Sequence, residues 1–325
     1  MLTRRAALTL AAGTALTLRA GASRAQSFPT RSVTIVVPYP AGGPVDAVAR
    51  LIANEAMADL GQAIVVDNRA GGSGVIGAVA VARAEPDGHM MVLGTNQTHA
   101  TNESLLKTCP YQAVKDFAPV AGIAEIPHLL VARKDLAVTS AADLIALAKD
   151  KPGSLNYGST GNGSASHLAG ELFKVKAGVN AQHVPFRGAA PMTQELLAGR
   201  IDYAFATLPS VLGQVEAGEL KAIAVASARR AERLPNVPTL NEVGIAGVEA
   251  DAWFALFAPA KTQPAVLERL YQSVAAALEK EGSKAALARQ GMTLALRKPA
   301  DVAAWLPAEV EKWAAVIKAA NVTVE

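Results

Sequence analysis

The chain has 325 residues, 51% of them hydrophobic, a formal net charge of +3 and a single cysteine. That length and apolar content suffice for two α/β domains with a buried core and no disulfides, which excludes disordered and fibrous classes. Arg4, Arg5, Arg19 and Arg24 carry the positive excess; without them the net charge is −1, so no basic stripe remains for nucleic acid or an anionic membrane surface.

Residues 1–25 read as an export signal. Arg4 and Arg5 precede an apolar stretch from Ala6 to Leu18, and Ser23-Arg24-Ala25 forms a small-residue end. The stretch is shorter than the ~20 apolar residues a spanning helix needs. The expected destination is periplasmic, reached either by the twin-arginine route that the paired arginines after Thr3 suggest or by the general secretory route, since the residues after the pair match the twin-arginine pattern only loosely.

The mature segment opens with a β-branched strand, Val33 to Val37, ended by Pro38, and helix Pro44 to Leu60 follows a glycine-containing loop. Strand Ile64 to Val66, helix Val75 to Arg83, the turn Pro86-Asp87-Gly88 and strand Met91 to Gly94 repeat that order. Beyond the apolar run Val120 to Ala124 a second series begins: strand Leu129 to Ala132, helix Ala141 to Lys149, strand Leu155 to Gly158 and helix Ala165 to Lys176. Strand Gln182 to Pro185, helix Pro191 to Ala198, strand Ile201 to Phe205 and strand Leu220 to Ala226 complete it. Trp253 to Phe257 is one more apolar strand, and everything after Pro264 reads as helix.

Such alternation predicts two α/β domains, each a mainly parallel sheet flanked by helices. The helical tail has no strand of its own and needs the first sheet, so the chain crosses between domains twice. The expected division is 26–124 with 253–325 for one domain and 125–252 for the other, with a double-stranded hinge and a ligand cleft between them.

Three strand-to-helix loops carry candidate binding chemistry. In VVPYPAGGPVDAVAR, Gly42 and Gly43 precede a helix starting at Pro44. Free N–H groups and the positive end of the helix dipole favour an anion there, while the bland alternative is a tight loop balanced by Asp46. In LNYGSTGNGSASHLAGELF the hydroxyls and glycines from Ser159 to Ser164 suit a carboxylate, or Asn162 or Ser164 merely caps the helix. In HVPFRGAAP, Arg187 and Gly188 meet a ligand charge or form an ordinary surface loop. Thr207 adds a hydroxyl beyond the strand ending at Phe205.

Enzyme signatures fail on context. Gly72-Ser73-Gly74-Val75-Ile76-Gly77 matches GxGxxG, but it trails its strand by five residues and Asp87 lies in a turn. Ser164 and His167 share one helix turn without a third partner, no GxSxG elbow occurs, and the five histidines have no ligand spacing. Cys109, before Pro110, reads as structural.

The chain resembles the Bug-type solute receptors of tripartite tricarboxylate transporters over nearly its whole mature length. The segments that carry the resemblance are VVPYPAGGPVDAVAR, LGQAIVVDNRAGGSGVIGA, ARAEPDGHMMVLGT, CPYQAVKDFAPVAGIA, KPGSLNYGSTGNGSASHLAGELF, HVPFRGAAPMTQELLAGRIDYAF, RLPNVPTLNEVG and WFALFAPAKTQP, in that order. It implies a two-domain, type II-like periplasmic binding fold that holds a small carboxylate through backbone groups of two loops. They map onto Tyr39, Ala41, Gly42 and Gly43 and onto Ser159, Thr160, Gly161, Gly163 and Ser164. The loop at Arg187 and Gly188 and the strand end at Thr207 line the ligand's distal part, and Asn96 is counted among the contacts.

Two departures bear on the ligand. Pro44 removes an N–H that the family's glycine offers, and Ala206 stands where an acid is common, which favours a monocarboxylate, dicarboxylate or aromatic acid over a zwitterion. The expected protein is a monomeric receptor, not an enzyme, without cofactor or metal. It hands its carboxylate to the transporter's membrane components, or as an alternative reports it to a membrane regulator.

Overall fold

The computed structural model describes residues 28–323, so the expected leader at 1–25 lies outside the described residues. β1 (Val33–Val37) forms where the β-branched run places it. α1 (Pro44–Leu60) begins at a proline, whose missing N–H costs nothing in a first turn, and ends at Gly61 in the left-handed conformation, φ 76°. Val45, Val48, Ala49, Ile52, Ala56 and Leu60 make its buried face at the three-and-four spacing of an amphipathic helix. Each Val, Ile or Leu so buried contributes about 1.5–3 kcal/mol before the entropy of ordering it.

β2 (Ile64–Asn68), α2 (Val75–Ala82) and β3 (Met90–Thr95) follow, with β1 parallel to both neighbouring strands. Past β3 the chain makes one wide helical turn at Gln97–Thr101, in which the Asn102 N–H returns to the Gln97 carbonyl, and then the short α3 (Asn102–Leu105). Only Pro127 separates β4 (Phe117–Ile126) from β5 (His128–Arg133), yet these strands belong to different sheets.

The second sheet is built from β5, β6 (Asn156–Ser159), β7 (Gln182–Pro185), β8 (Tyr203–Thr207) and β9 (Leu220–Val225), in the order β7-β6-β8-β5-β9. α4 (Ala141–Asp150), α5 (Ala165–Ala177), α6 (Ala189–Leu197) and α7 (Leu208–Glu216) connect its strands. The chain returns through β10 (Ala252–Pro259) and finishes with α8 (Pro264–Leu278), α9 (Glu281–Arg289), β11 (Thr293–Arg297) and α10 (Pro299–Ala319). The first sheet is therefore β11-β4-β10-β3-β1-β2.

The two crossing segments lie side by side. Ala252 stands opposite Ile126, the Ala250 N–H donates to the Ala226 carbonyl, and the Ala226 N–H donates to that of His128.

Three expectations are corrected. The α/β class stands, but the sheets are mixed rather than mainly parallel: β10 runs antiparallel to β3 and β4, and β5 antiparallel to β8 and β9. Parallel neighbours need a crossover connection, whereas β5 and β10 enter directly from the other sheet and are free to oppose their neighbours. The tail after Pro264 is not all helix, because Gly291, at φ 64°, stops the chain after α9 and β11 pairs with β4 as a half-exposed edge strand. Helix α7 was not expected at all; Pro209 sits in its first turn, where it breaks nothing.

One apolar cluster runs through both halves. It joins Val92, Phe117 and Phe257 of the first sheet to Tyr203 and Phe205 of the second and to Leu168 and Phe173 of α5, with Trp313, Val316 and Ile317 of α10 among them. Helix α10 packs on β4, on the wide turn and on α5, and so lies behind the space between the sheets.

Candidate functional site

A cavity of about 630 Å³ is lined from both halves. Its first wall is the loop from β1 to α1. There Asp46 is turned inward: its Oδ2 accepts from the Gly42 N–H at 2.9 Å and from Arg50 Nε at 2.9 Å, and its Oδ1 accepts from Asn68 Nδ2 at 3.0 Å. The Arg50 guanidinium and these donors together hold the Asp46 carboxyl down to about 2, against the cost of burial. The acid thus fixes the loop. The N–H groups of Val45 and Asp46, in the first turn of α1, have no partner among the described residues.

Gly42, at φ 85°, supplies the left-handed residue that the loop needs just before the helix. Tyr39 lies beside it, its hydroxyl 2.8 Å from Thr95 Oγ1 and donating to Gln97 Oε1 at 3.2 Å. Burial pushes the phenol up to about 12, so it stays protonated and can donate.

The second wall is the start of α5. Ser164 caps the helix, its Oγ accepting from the His167 N–H at 3.2 Å, and the Gly163 N–H donates to His167 Nδ1 at 3.0 Å. The N–H groups of Ala165 and Ser166 have no partner among the described residues. His167 stacks on His183 with ring centroids 3.7 Å apart, and His183 Nε2 lies 2.6 Å from Ser159 Oγ. Burial lowers both imidazoles to about 4, which keeps them neutral and leaves His167 Nδ1 able to accept.

The rest of the lining is the polar Thr95, Asn96, Gln97 and Thr101 together with the apolar Leu168, Ala252, Phe254 and Trp313. None of the residues lining the cavity is charged. Two helix N-termini, one from each half, therefore face a common space with neutral donors and no counter-ion.

Of the residues expected from sequence, Tyr39, Ala41, Gly42, Gly43, Asn96, Gly163 and Ser164 line this cavity. Asn96 does so with its amide committed: Nδ2 donates to the Asp251 carbonyl at 2.9 Å and Oδ1 accepts from the Trp253 N–H at 2.8 Å, tying β3 to the returning strand. Ser159, Thr160 and Gly161 lie behind the lining, hydrogen-bonded within their loop and to Ser166 and His183. Arg187, Gly188 and Thr207 are outside it; Arg187 is exposed and Thr207 Oγ1 donates to Ser210 Oγ.

Sequence reasoning missed Thr95, Gln97 and Thr101, although a polar run just after a strand was a usable signal. It also missed Phe254 and Trp313, which carry the same apolar spacing as ordinary core and offered none. The glycines at 72–77 serve packing: a Cβ on Gly77 would come within 2.9 Å of Pro38. Cys109 is half-buried and its thiol is pushed up by burial, which leaves it poorly nucleophilic at neutral pH.

Two helix-flanked sheets joined by a pair of crossing segments, with the cavity lined from both, define a two-domain periplasmic binding protein. Residues 48–322 match the tripartite tricarboxylate transporter family receptor, and the chain belongs to that family of solute-binding receptors, which are not enzymes. Protein BugT of Bordetella pertussis is 34% identical over 90% of this chain and 90% of its own length. Among solved structures, R. palustris Rpa4515 with adipate is 40% identical, with a TM-score of 0.77, covering 91% of this chain and 100% of that one. MatC (Rpa3494) from Rhodopseudomonas palustris with bound malate is 34% identical, with a TM-score of 0.74, covering 89% and 100%. No helix among the described residues is long and apolar enough to cross a membrane.

Proposed function

We propose that this protein is a periplasmic receptor that captures a small monocarboxylate, dicarboxylate or aromatic acid in the cavity between its sheets and delivers it, as a monomer, to the membrane components of a tripartite tricarboxylate-type transporter. The observation that carries this reading is the meeting of two helix N-termini, from α1 and α5, on one uncharged cavity. An anion at each is favoured by about 0.3–1 kcal/mol when exposed and by up to about 2 kcal/mol when partly buried. Neutral donors hold it without the desolvation cost of a buried cationic side chain. No carboxylate lines the cavity to meet a ligand ammonium, which supports a plain acid over an amino acid. The adipate and malate of the two related structures point to the same class.

In this reading Tyr39, Ala41, Gly42, Gly43, Gly163 and Ser164 touch the ligand, Asn96 shapes the wall, and Ser159, Thr160 and Gly161 support the loop. Arg187, Gly188 and Thr207 approach the ligand's far end when the domains, 26–124 with 253–325 and 125–252, close about the crossing segments. The test is a thermal-shift screen of the exported chain against mono-, di- and tricarboxylates, aromatic acids and amino acids, confirmed by calorimetry. A ligand at 100 times its Kd adds about 2.7 kcal/mol of stability. A shift with one class of acid, recovered chemically unchanged, supports the receptor; binding of amino acids with no response to plain acids overturns the ligand class.

A further inference from the structure

Besides its polar lining the cavity has an apolar part that comes from three separated parts of the chain, Leu168 on α5, Phe254 on β10 and Trp313 on α10, with Phe254 directly opposite Thr95 across the strand pair. Trp313 is the largest of these and is 1% exposed. Its ring is fixed from several sides. The indole Nε1 donates to Glu309 Oε1 at 2.6 Å, one helical turn earlier, and Lys312 Nζ lies 4.6 Å from the ring centroid. Glu309 is itself anchored, because the same Oε1 accepts from Trp253 Nε1 at 3.2 Å and Oε2 pairs with Lys312 at 2.7 Å. A buried carboxylate that accepts from two indoles and pairs with one ammonium fixes the orientation of both rings. Trp253 belongs to the returning strand and Trp313 to the last helix, so Glu309 joins α10 to β10 at the back of the cavity.

We propose that Trp313 is a specificity-determining residue, whose ring closes the apolar end of the cavity and limits the length and bulk of the hydrocarbon body that a bound carboxylate can carry, and that Glu309 is the positioning residue that fixes this ring. The inference rests on the receptor reading above and adds to it the choice among acids. A rigid aromatic wall sets a sharp upper limit, because forcing extra atoms into a well-packed apolar site is itself destabilising. Below that limit each added methylene raises affinity about fourfold, the ordinary hydrophobic transfer of one CH2. Above it, affinity falls.

The experiment is calorimetric titration of the full exported chain with the unbranched dicarboxylates from malonate to suberate, and with benzoate and phenylacetate, for wild type, Trp313→Leu, Trp313→Phe, Glu309→Gln and Glu309→Ala. The expected wild-type profile has an optimum length. Trp313→Leu moves that optimum to a longer acid by at least one methylene and improves the longest members about tenfold relative to the shortest. Glu309→Gln keeps the wild-type profile, since its amide oxygen still accepts from the indoles, whereas Glu309→Ala broadens it. An unmoved optimum in Trp313→Leu, or a uniform loss across the series, overturns the inference while the receptor reading stands. If Trp313→Leu does not fold, Trp313→Phe trims the same wall with less loss of packing and its optimum is read in the same way. Failure of wild type to bind any member refutes the receptor reading and this inference with it.

Discussion

Replacing His167 with alanine removes the acceptor that holds the Gly163 N–H, one of the groups that set the direction of the α5 loop at the cavity wall. Gly163 is buried, so its N–H gains no water in exchange, and an unsatisfied buried donor costs about 1–3 kcal/mol. If the loop keeps its conformation only when ligand is bound, the whole cost falls on binding. At 1.4 kcal/mol per factor of ten, the Kd then rises between about fivefold and about a hundredfold. If free and bound forms keep the loop equally, the cost appears as lost stability instead. Calorimetry with adipate and malate as probes, run beside urea unfolding, separates the two. His167→Asn offers an amide oxygen near the place of Nδ1 and should recover most of the loss. An alanine variant with unchanged Kd and unchanged unfolding midpoint would refute the role assigned to the imidazole.

The pH dependence of stability follows from His167 and three further histidines. Burial lowers His99 to about 3 and His128, His167 and His183 to about 4, against about 6.5 for an unfolded chain. Between those values the unfolded chain binds more protons, so their contribution is fully present above pH ~6.5 and is lost as the pH falls toward ~4. Asp251 works the other way: burial raises it to about 7, so its contribution is present below the unfolded value of ~3.9 and is lost as the pH rises toward ~7. Four histidines outweigh one carboxyl, and the urea midpoint should drop between about pH 6.5 and 4.5; a level or rising midpoint sinks this account. Asn96→Ala leaves the buried Trp253 N–H and the Asp251 carbonyl unpaired, at a cost of about 1–3 kcal/mol, which thermal unfolding without ligand will detect. Asn96→Asp keeps the acceptor and loses the donor, and should fall between wild type and alanine.

Much of this protein was decided locally. The β-branched run at Val33–Val37, Pro44 at a first turn and the glycine pair before it specify strand, loop and helix by backbone sterics alone, and the loop at Gly163 and Ser164 is capped by its own side chain. Both helix-start loops at the cavity were therefore legible, because a helix N-terminus announces itself in a few neighbouring residues. Strand direction was not: β5 and β10 have the apolar runs of buried strands, and an apolar run contains nothing that says which way its neighbours point. The edge strand β11 was hidden by its brevity between two helices.

The division of labour among the candidate residues was also beyond the sequence. Ser159 and Thr160 read as ligand donors from their chemistry, and tertiary structure gave their hydroxyls to His183 and Ser166 instead. Trp313 has the apolar spacing of an ordinary core residue and lies at the cavity, because only the folding of α10 against α5 and β4 brings residue 313 near residue 43. Local chemistry fixed where an anion can sit, since that depends on a few adjacent N–H groups. The rest of the cavity's lining came from residues far apart in the chain, whose meeting depends on the packing of the whole.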